Sequence, residues 1–151
     1  MIPGVKTLAD GAIITGKTDG VAVPAGKVGE YRTNSNAASA IPAGTTRNTG
    51  TLLLTKGVYL IWATQGAGYY TANPNITAVT ISISTVSDTH NNAYKTIYPI
   101  PSTPAGSIGR FSTTPYVITF TSDTTWYGVA TIASSGSTDY IPASLEAIRI
   151  A

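Results

Sequence analysis

Residues 11–18 carry the letters of a nucleotide-binding P-loop. The stretch GAIITGKT has two glycines separated by four residues, followed by Lys and Thr, which is the spacing that cradles phosphates in P-loop proteins. A working P-loop also needs a helix whose N-terminus follows the glycine turn and binds the phosphates. Here Gly20, Pro24 and Gly26 follow closely, and both residue types interrupt helices. We therefore interpret the match as a coincidence of letters and expect no cofactor.

His90 is the single histidine of the chain and lies close to Asp88 in the stretch SDTHNNAY. A histidine beside a carboxylate can bind a metal ion or act as a general base. A metal site usually needs three or four ligands, and the chain has no second histidine and no cysteine. No G-x-S-x-G sequence offers a nucleophilic serine. We interpret His90 as a solvated loop residue and expect no metal site, no catalytic residues and no enzymatic activity.

Paired aromatic and amide side chains in the stretch QGAGYYTANPN are the clearest candidates for ligand binding. Aromatic rings combine a large contact area with a low entropic cost, and loops at strand ends often carry binding residues. The candidate ligand contacts are Tyr69, Tyr70, Asn73 and Asn75. The ligand that they suit is a carbohydrate or a receptor on a cell surface. Packing in the core or between subunits is the competing role for these aromatic residues.

The composition favours a structural role over nucleic-acid or membrane binding. The 151 residues are enough for one domain, and charged residues make up only 11%, against about 25% in an average domain. With 25 Thr and 13 Ser, the surface is polar without being charged, which suits a long-lived assembly. The net charge of +2 is not concentrated in any basic run, so we expect no nucleic-acid partner. No apolar run approaches the ~20 residues that span a bilayer, and the N-terminus lacks the apolar core of a signal peptide.

From about Val28 onward the apolar residues alternate as they do in β-strands. In VTISIST, residues 79–85, the Val and Ile side chains face one side and most of the Thr and Ser side chains the other, which is the strand period of two. Further strands are predicted in YVITFT, on both sides of the Lys56–Gly57 turn in GTLLLTKGVYLIWATQG, and in TTWYGVATIAS and ASLEAIRIA. Turn-forming clusters separate these strands. The sequence predicts an all-β protein, an antiparallel β-sandwich or jelly roll.

The first 26 residues differ from the rest because glycine and proline divide them into short apolar pieces. We predict an extended N-terminal arm over residues 1–26 and a β-sandwich domain over residues 27–151. The arm has no helix or long strand to bury its apolar side chains locally. We therefore expect it to pack on another subunit or on a larger particle through Ile13, Ile14, Val21 and Val23.

From about Ala25 to the end, the chain resembles a β-sandwich module of tailed-bacteriophage virion proteins, at tail-fibre tips, other appendages and head decorations. The stretches that carry the resemblance are AGKVGEY, TLLLTKGVYLIWAT, ISISTVSDT and SLEAIRIA. The resemblance implies a non-enzymatic and trimeric part of a virion, assembled in the cytoplasm of a bacterial host. It also implies capsid or tail proteins as partners, with a host-surface glycan as the alternative ligand.

The C-terminal strand is apolar on both faces. Ile148 and Ile150 lie on the face opposite to Leu145 and Ala147. A strand with two apolar faces is normally covered on both, and a sandwich core covers only one. A closed symmetric oligomer covers the other. We therefore predict a subunit interface that includes Ile148 and Ile150, and the phage resemblance suggests that the oligomer is a homotrimer.

Overall fold

The computed structural model describes residues 28–36, 40–68, 76–100, 109–135 and 138–151, with the backbone alone for 40–41, 67–68 and 138–142. The predicted arm and the P-loop-like stretch within it lie outside the described residues. The arm, and the domain boundary that follows it, therefore stay predictions. No helix in the described part of the chain is long and apolar enough to cross a membrane.

Ten strands make up most of the described chain. They are β1 (Tyr31–Asn36), β2 (Ala40–Ile41), β3 (Thr46–Leu54), β4 (Gly57–Gly68), β5 (Ile76–Ser84), β6 (Lys95–Pro99), β7 (Gly109–Ser112), β8 (Tyr116–Phe120), β9 (Thr124–Ser134) and β10 (Thr138–Arg149). A 3-10 turn at Asn92–Tyr94 precedes β6. The prediction of an all-β protein is confirmed.

The strands form two antiparallel sheets. The six-stranded sheet has the order β1–β10–β4–β7, with β2 also paired to β10 and β8 also paired to β4, and the four-stranded sheet has the order β3–β9–β5–β6. Early strands pair with late ones: β1 with β10, β3 with β9, and β4 with β7 and β8, until β5 pairs with β6. This nested pairing is the jelly-roll arrangement of a Greek-key sandwich. The predicted fold class is confirmed.

The core lies between the two sheets and follows the predicted alternation. In β5, Val79, Ile81 and Ile83 are fully buried, as expected from the two-residue period of side chains along a strand. In β4, Tyr59 and Ile61 are fully buried, so the intervening side chains point away from the core. Burying one such Val, Ile or Leu side chain contributes ~1.5–3 kcal/mol. The remaining core residues include Leu52, Leu54, Phe120, Trp126, Ile132, Leu145 and Ala147.

Polar side chains of β1 close one edge of the sandwich. Arg32 Nη1 donates to the Leu53 carbonyl at 2.6 Å, and Asn36 Nδ2 donates to the Asn48 carbonyl at 2.8 Å. Between them, Asn34 Oδ1 accepts from the Thr51 amide at 3.0 Å. These bonds join the two sheets and occupy backbone groups of β3 that a bare edge strand would leave open to pairing with another chain.

Different parts of the chain lie at the two ends of the sandwich. At one end the chain enters beside the last strand, because the Gly29 amide donates to the Arg149 carbonyl at 2.7 Å. At the other end β4, β6 and β9 finish and β5, β7 and β10 begin, as the registers Gly68 with Asp139 and Ile76 with Ser134 show. The connections that follow β4, β6 and β9 therefore leave from this second end.

Candidate functional site

An apolar row crosses the outer face of the six-stranded sheet. In β10, Leu145 and Ala147 are fully buried in the core, so Ile148 points outward. The register aligns it with Tyr31 of β1 on one side, with Leu60 of β4 on the other, and through Leu60 with Val117 of β8. We call Tyr31, Ile148, Leu60 and Val117 the outer row.

The outer row is accessible to a partner. Tyr31 is 53% exposed and Val117 is 64% exposed, while Leu60 and Ile148 are half-buried between them. Ile150 extends the apolar surface along β10, beside the middle of the row: it is 42% exposed, and its amide donates to the Val58 carbonyl at 2.8 Å. Contiguous apolar surface of this kind is typical of interaction sites.

The polar neighbour of the outer row is Glu146. Its Oε2 accepts a hydrogen bond from the Tyr31 hydroxyl at 2.6 Å, and its Oε1 accepts one from Ser144 Oγ at 2.8 Å. The hydrogen bond to Glu146 raises the pKa of Tyr31 above its usual 10.0, and partial burial and the negative charge of Glu146 act in the same direction. The phenol therefore remains a neutral donor, held in place at the edge of the outer face.

His90 lies on the outer face of the other sheet, where it bonds to side chains from two strands. Its Nδ1 is 2.8 Å from Ser82 Oγ of β5, and its Nε2 is 2.8 Å from Thr131 Oγ1 of β9. Thr131 Oγ1 in turn lies 2.7 Å from Thr46 Oγ1 of β3. We call Ser82, His90, Thr131 and Thr46 the His90 chain. The interpretation of His90 as a solvated loop residue is wrong, because its ring is half-buried and both nitrogens are bonded.

The loop that carries His90 is fastened to β3 at a second point. The Asp88 amide donates to Asn48 Oδ1 at 2.9 Å, and the Asn48 amide donates to Asp88 Oδ1 at 2.8 Å. Asp88 has a φ of +51°, a left-handed conformation that Asp tolerates better than most residues. The loop covers polar side chains of the sheet, and Ser82 and Ser84 are buried although they face away from the core.

This arrangement suits packing better than catalysis. The Asp88 carboxylate bonds to Asn48 and Ser87, and no bond from it to His90 is present among the described contacts. Ser82 Oγ bonds to the ring, but Ser82 is fully buried and a substrate cannot reach it. Burial lowers the pKa of His90, and the nearby positive charge of Lys95 lowers it further. Within the described ranges, no group of three or more His, Cys, Asp or Glu residues could hold a metal ion.

The predicted site residues fall into two groups. The candidate ligand contacts Tyr69, Tyr70, Asn73 and Asn75, and the arm residues Ile13, Ile14, Val21 and Val23, lie outside the described residues and stay predictions. Ile148 and Ile150 are described, and both are accessible on the side away from the core. Sequence reasoning missed Tyr31, Leu60 and Val117 as their neighbours. The apolar alternation of β4 and β8 contained the signal, but only the register shows that these side chains align.

Comparisons with known proteins give structural matches only. No protein-family model and no curated protein matches the sequence. A chain from the structure of infectious bursal disease virus, Gt strain, is 11% identical with a TM-score of 0.51, over 91% of this chain and 38% of the viral chain. The Gx strain gives 11% identity and a TM-score of 0.48 over the same shares. A chain of Bacillus endospore appendages, which are disulfide-linked pili, is 13% identical with a TM-score of 0.35, over 87% of this chain and 98% of the other.

The match to the Gt-strain chain supports a β-sandwich fold of a kind found in a virus. At 11% identity it concerns the fold alone, because one fold serves many functions. This chain spans well under half of the viral chain. The other two TM-scores are too low to support an argument about the fold. The likeness to tailed-bacteriophage modules stays a prediction from the sequence.

Proposed function

We propose that this protein is a non-enzymatic structural subunit of a bacteriophage virion. In this proposal the β-sandwich forms a trimer and is displayed outward, while the N-terminal arm attaches it to capsid or tail proteins. The subunit is a head decoration or a short appendage, assembled in the cytoplasm of the bacterial host. The apolar outer row is the observation that carries the proposal. The core already buries one face of these strands, so a second apolar face needs a partner outside the sandwich.

Other observations support the same role. The jelly-roll order of strands is common in viral capsid domains, and the fold resembles that of a chain in a virus structure. The low charge of the chain and its many hydroxyl side chains suit a surface that stays assembled. The His90 chain, a cluster of polar side chains on the four-stranded sheet, is bonded internally.

The trimer is tested by the mass of the purified protein. Light scattering should give about three times 15.6 kDa. Ile148→Asp places a charge in the outer row and should shift the mass toward one subunit, because a buried unpaired charge is costly. The matched control is Ile97→Asp, since Ile97 is 56% exposed and lies on the other sheet. A monomeric wild-type protein at high concentration, unaffected by either substitution, contradicts the trimer.

Membership of the virion is tested separately. Purified particles made with and without the gene for this protein should differ by its peptides in a mass spectrum. Negative-stain images should show a missing surface feature when the gene is absent. Identical particles, with no trace of the protein in the wild-type spectrum, would overturn a virion role even if the protein is a trimer.

The alternative function is recognition of a carbohydrate or host receptor. The observation that favours it is the arrangement of strand ends: the connections after β4, β6 and β9 leave from one end of the sandwich, which suits a shared binding surface. The connection after β4 contains Tyr69 and Tyr70. A glycan array tests it. Specific binding that Tyr70→Ala abolishes, with the fold intact, would place this function first.

A further inference from the structure

Two apolar features of this chain need a partner, and the first residue of one, Tyr31, follows the other within ten positions in the sequence. One is the outer row, and the other is the VAV piece at residues 21–23. We propose that residues 21–23 pack on the outer row of their own subunit. This inference rests on the proposed role of the arm and adds that its near part binds in cis. The outer row and the docked piece then face the neighbouring subunit together, and Ile13 and Ile14 reach a neighbouring subunit or the particle.

The point where the arm joins the sandwich is fixed at the corner of the outer row. Val28 precedes Tyr31, the first residue of the row, by three positions. The Gly29 amide donates to the Arg149 carbonyl at 2.7 Å, and the Arg149 amide donates to the Glu30 carbonyl at 2.9 Å. The chain before Val28 therefore starts beside β10. Its starting point is three residues from Tyr31, where the row begins.

The length of the connecting segment matches the width of the row. Tyr31 and Val117 are separated by three strand spacings, or ~14 Å at about 4.8 Å each. Val23 and Val21 lie five and seven residues before Val28, so an extended chain places them at most ~18 Å and ~25 Å away. A tether of matching length gives a high effective concentration, which favours the subunit's own row over that of another copy.

The chemistry of the two surfaces is complementary. Residues 21–23 are apolar and carry two β-branched side chains, which pack well on a pleated sheet surface. The middle of the row, Leu60 and Ile148, is apolar and half-buried, and a short piece of three residues would complete its burial. Pro24 follows the piece directly and limits the conformations of the tether.

Cysteine pairs test the inference cleanly because the natural chain has no cysteine. In Val21→Cys/Val117→Cys and Val23→Cys/Leu60→Cys, mild oxidation should form a disulfide within one chain, which requires Cβ atoms ~3.5–4.5 Å apart. The matched control, Val21→Cys/Ile97→Cys, should remain reduced because Ile97 lies on the other sheet. A non-reducing gel and peptide mapping identify the bonds, and circular dichroism checks the fold of each variant.

The outcomes separate this inference from the trimer. Disulfides within one chain, in the row variants but not in the control, support binding in cis whatever the mass of the protein. Disulfides between chains overturn it and indicate that arms are exchanged between subunits. Reduced thiols in both folded row variants overturn it as well, and a trimer by light scattering would then persist without cis packing of the arm.

Discussion

The guanidinium group of Arg149 lies over the ring of Tyr59, with its Cζ 5.4 Å from the ring centroid. Its Nη1 donates to the Tyr59 hydroxyl at 2.9 Å and to Thr55 Oγ1 at 3.0 Å, and its Nη2 donates to the Lys56 carbonyl at 2.9 Å. One side chain of the last strand therefore holds the turn between β3 and β4, the point where the chain crosses from one sheet to the other.

Arg149→Ala should lower the free energy of unfolding by about 1–3 kcal/mol, because it removes charge-assisted hydrogen bonds and a cation–π contact. Arg149→Lys should recover part of the loss, since Lys keeps the charge but not the forked donor geometry. Urea denaturation measures both. Arg110→Ala, at an exposed position of β7, is the control and should change stability by less than ~0.5 kcal/mol. Equal effects of Arg149→Ala and Arg110→Ala would refute the role assigned to Arg149.

The protein should lose stability as the pH falls below about 6.5. In the unfolded chain His90 titrates near 6.5, and in the folded protein its pKa is lower because the ring is partly buried and lies near Lys95. Between these two pKa values the unfolded state binds more protons, so stability rises with pH across that window and falls as the pH drops through it. Urea midpoints at pH 7.5, 6.5 and 5.5 should decrease in that order.

The control for this pH effect is His90→Gln. The chain has one histidine, and carboxylates ordinarily titrate near pH 4, so the variant should lose the step between pH 7.5 and 5.5. It should also be less stable at pH 7.5, because the His90 chain loses one or both of its ring bonds. A midpoint that rises on acidification, or a step that survives in His90→Gln, would assign the pH effect to another group.

Gly50 should tolerate alanine much less well than Gly44. A Cβ at Gly50 would overlap the Asn34 carbonyl oxygen and lie 2.8 Å from the Leu145 amide nitrogen, and backbone atoms cannot move away cheaply. We expect Gly50→Ala to cost about 3 kcal/mol. Gly44 has a φ of +69° with open space around it, so Gly44→Ala should cost only the left-handed conformation, about 1–2 kcal/mol. Thermal unfolding compares them, and the reverse order would contradict this account.

Tyr31 should deprotonate at higher pH than an ordinary tyrosine, because its hydroxyl donates to Glu146. Glu146→Gln removes the negative charge and should bring the pKa of Tyr31 back toward 10.0. A pH titration followed by the absorbance of the phenolate measures this pKa. Subtracting the titration of the matching protein with Tyr31→Phe isolates the signal of Tyr31. An unchanged titration after Glu146→Gln would show that the carboxylate does not hold the phenol.

The sequence predicted the strands well because each has one face that must be buried. The pattern of β5 places Val79, Ile81 and Ile83 in the core, and those side chains are fully buried. The same reasoning predicted that Ile148 faces away from Leu145 and Ala147, and the structure bears this out. A period of two is a local property, so neighbouring residues suffice to establish it.

The pairing of distant strands could not be predicted in this way. The alignment of Tyr31 with Ile148 joins positions 117 residues apart, and no local pattern encodes that register. His90 was misjudged for the same reason: its partners Ser82 and Thr131 lie on two different strands, and a polar loop sequence reads alike whether it extends into solvent or folds back on a sheet. In the sequence, the hydroxyl side chains that bond to the imidazole ring look like an ordinary solvent-facing side of β5 and β9.

The pairing of the first strand with the last also determines when the six-stranded sheet can form. β10 lies between β1 and β4, so both strands wait until β10 has been synthesised before they gain this neighbour. Folds dominated by such distant pairings form slowly, in about milliseconds to seconds. A chain that stopped before Thr138 would leave β1 and β4 with open edges, which are prone to aggregate. Products that terminate before β10 should therefore be removed as insoluble material, and only chains that contain β10 should enter assembly.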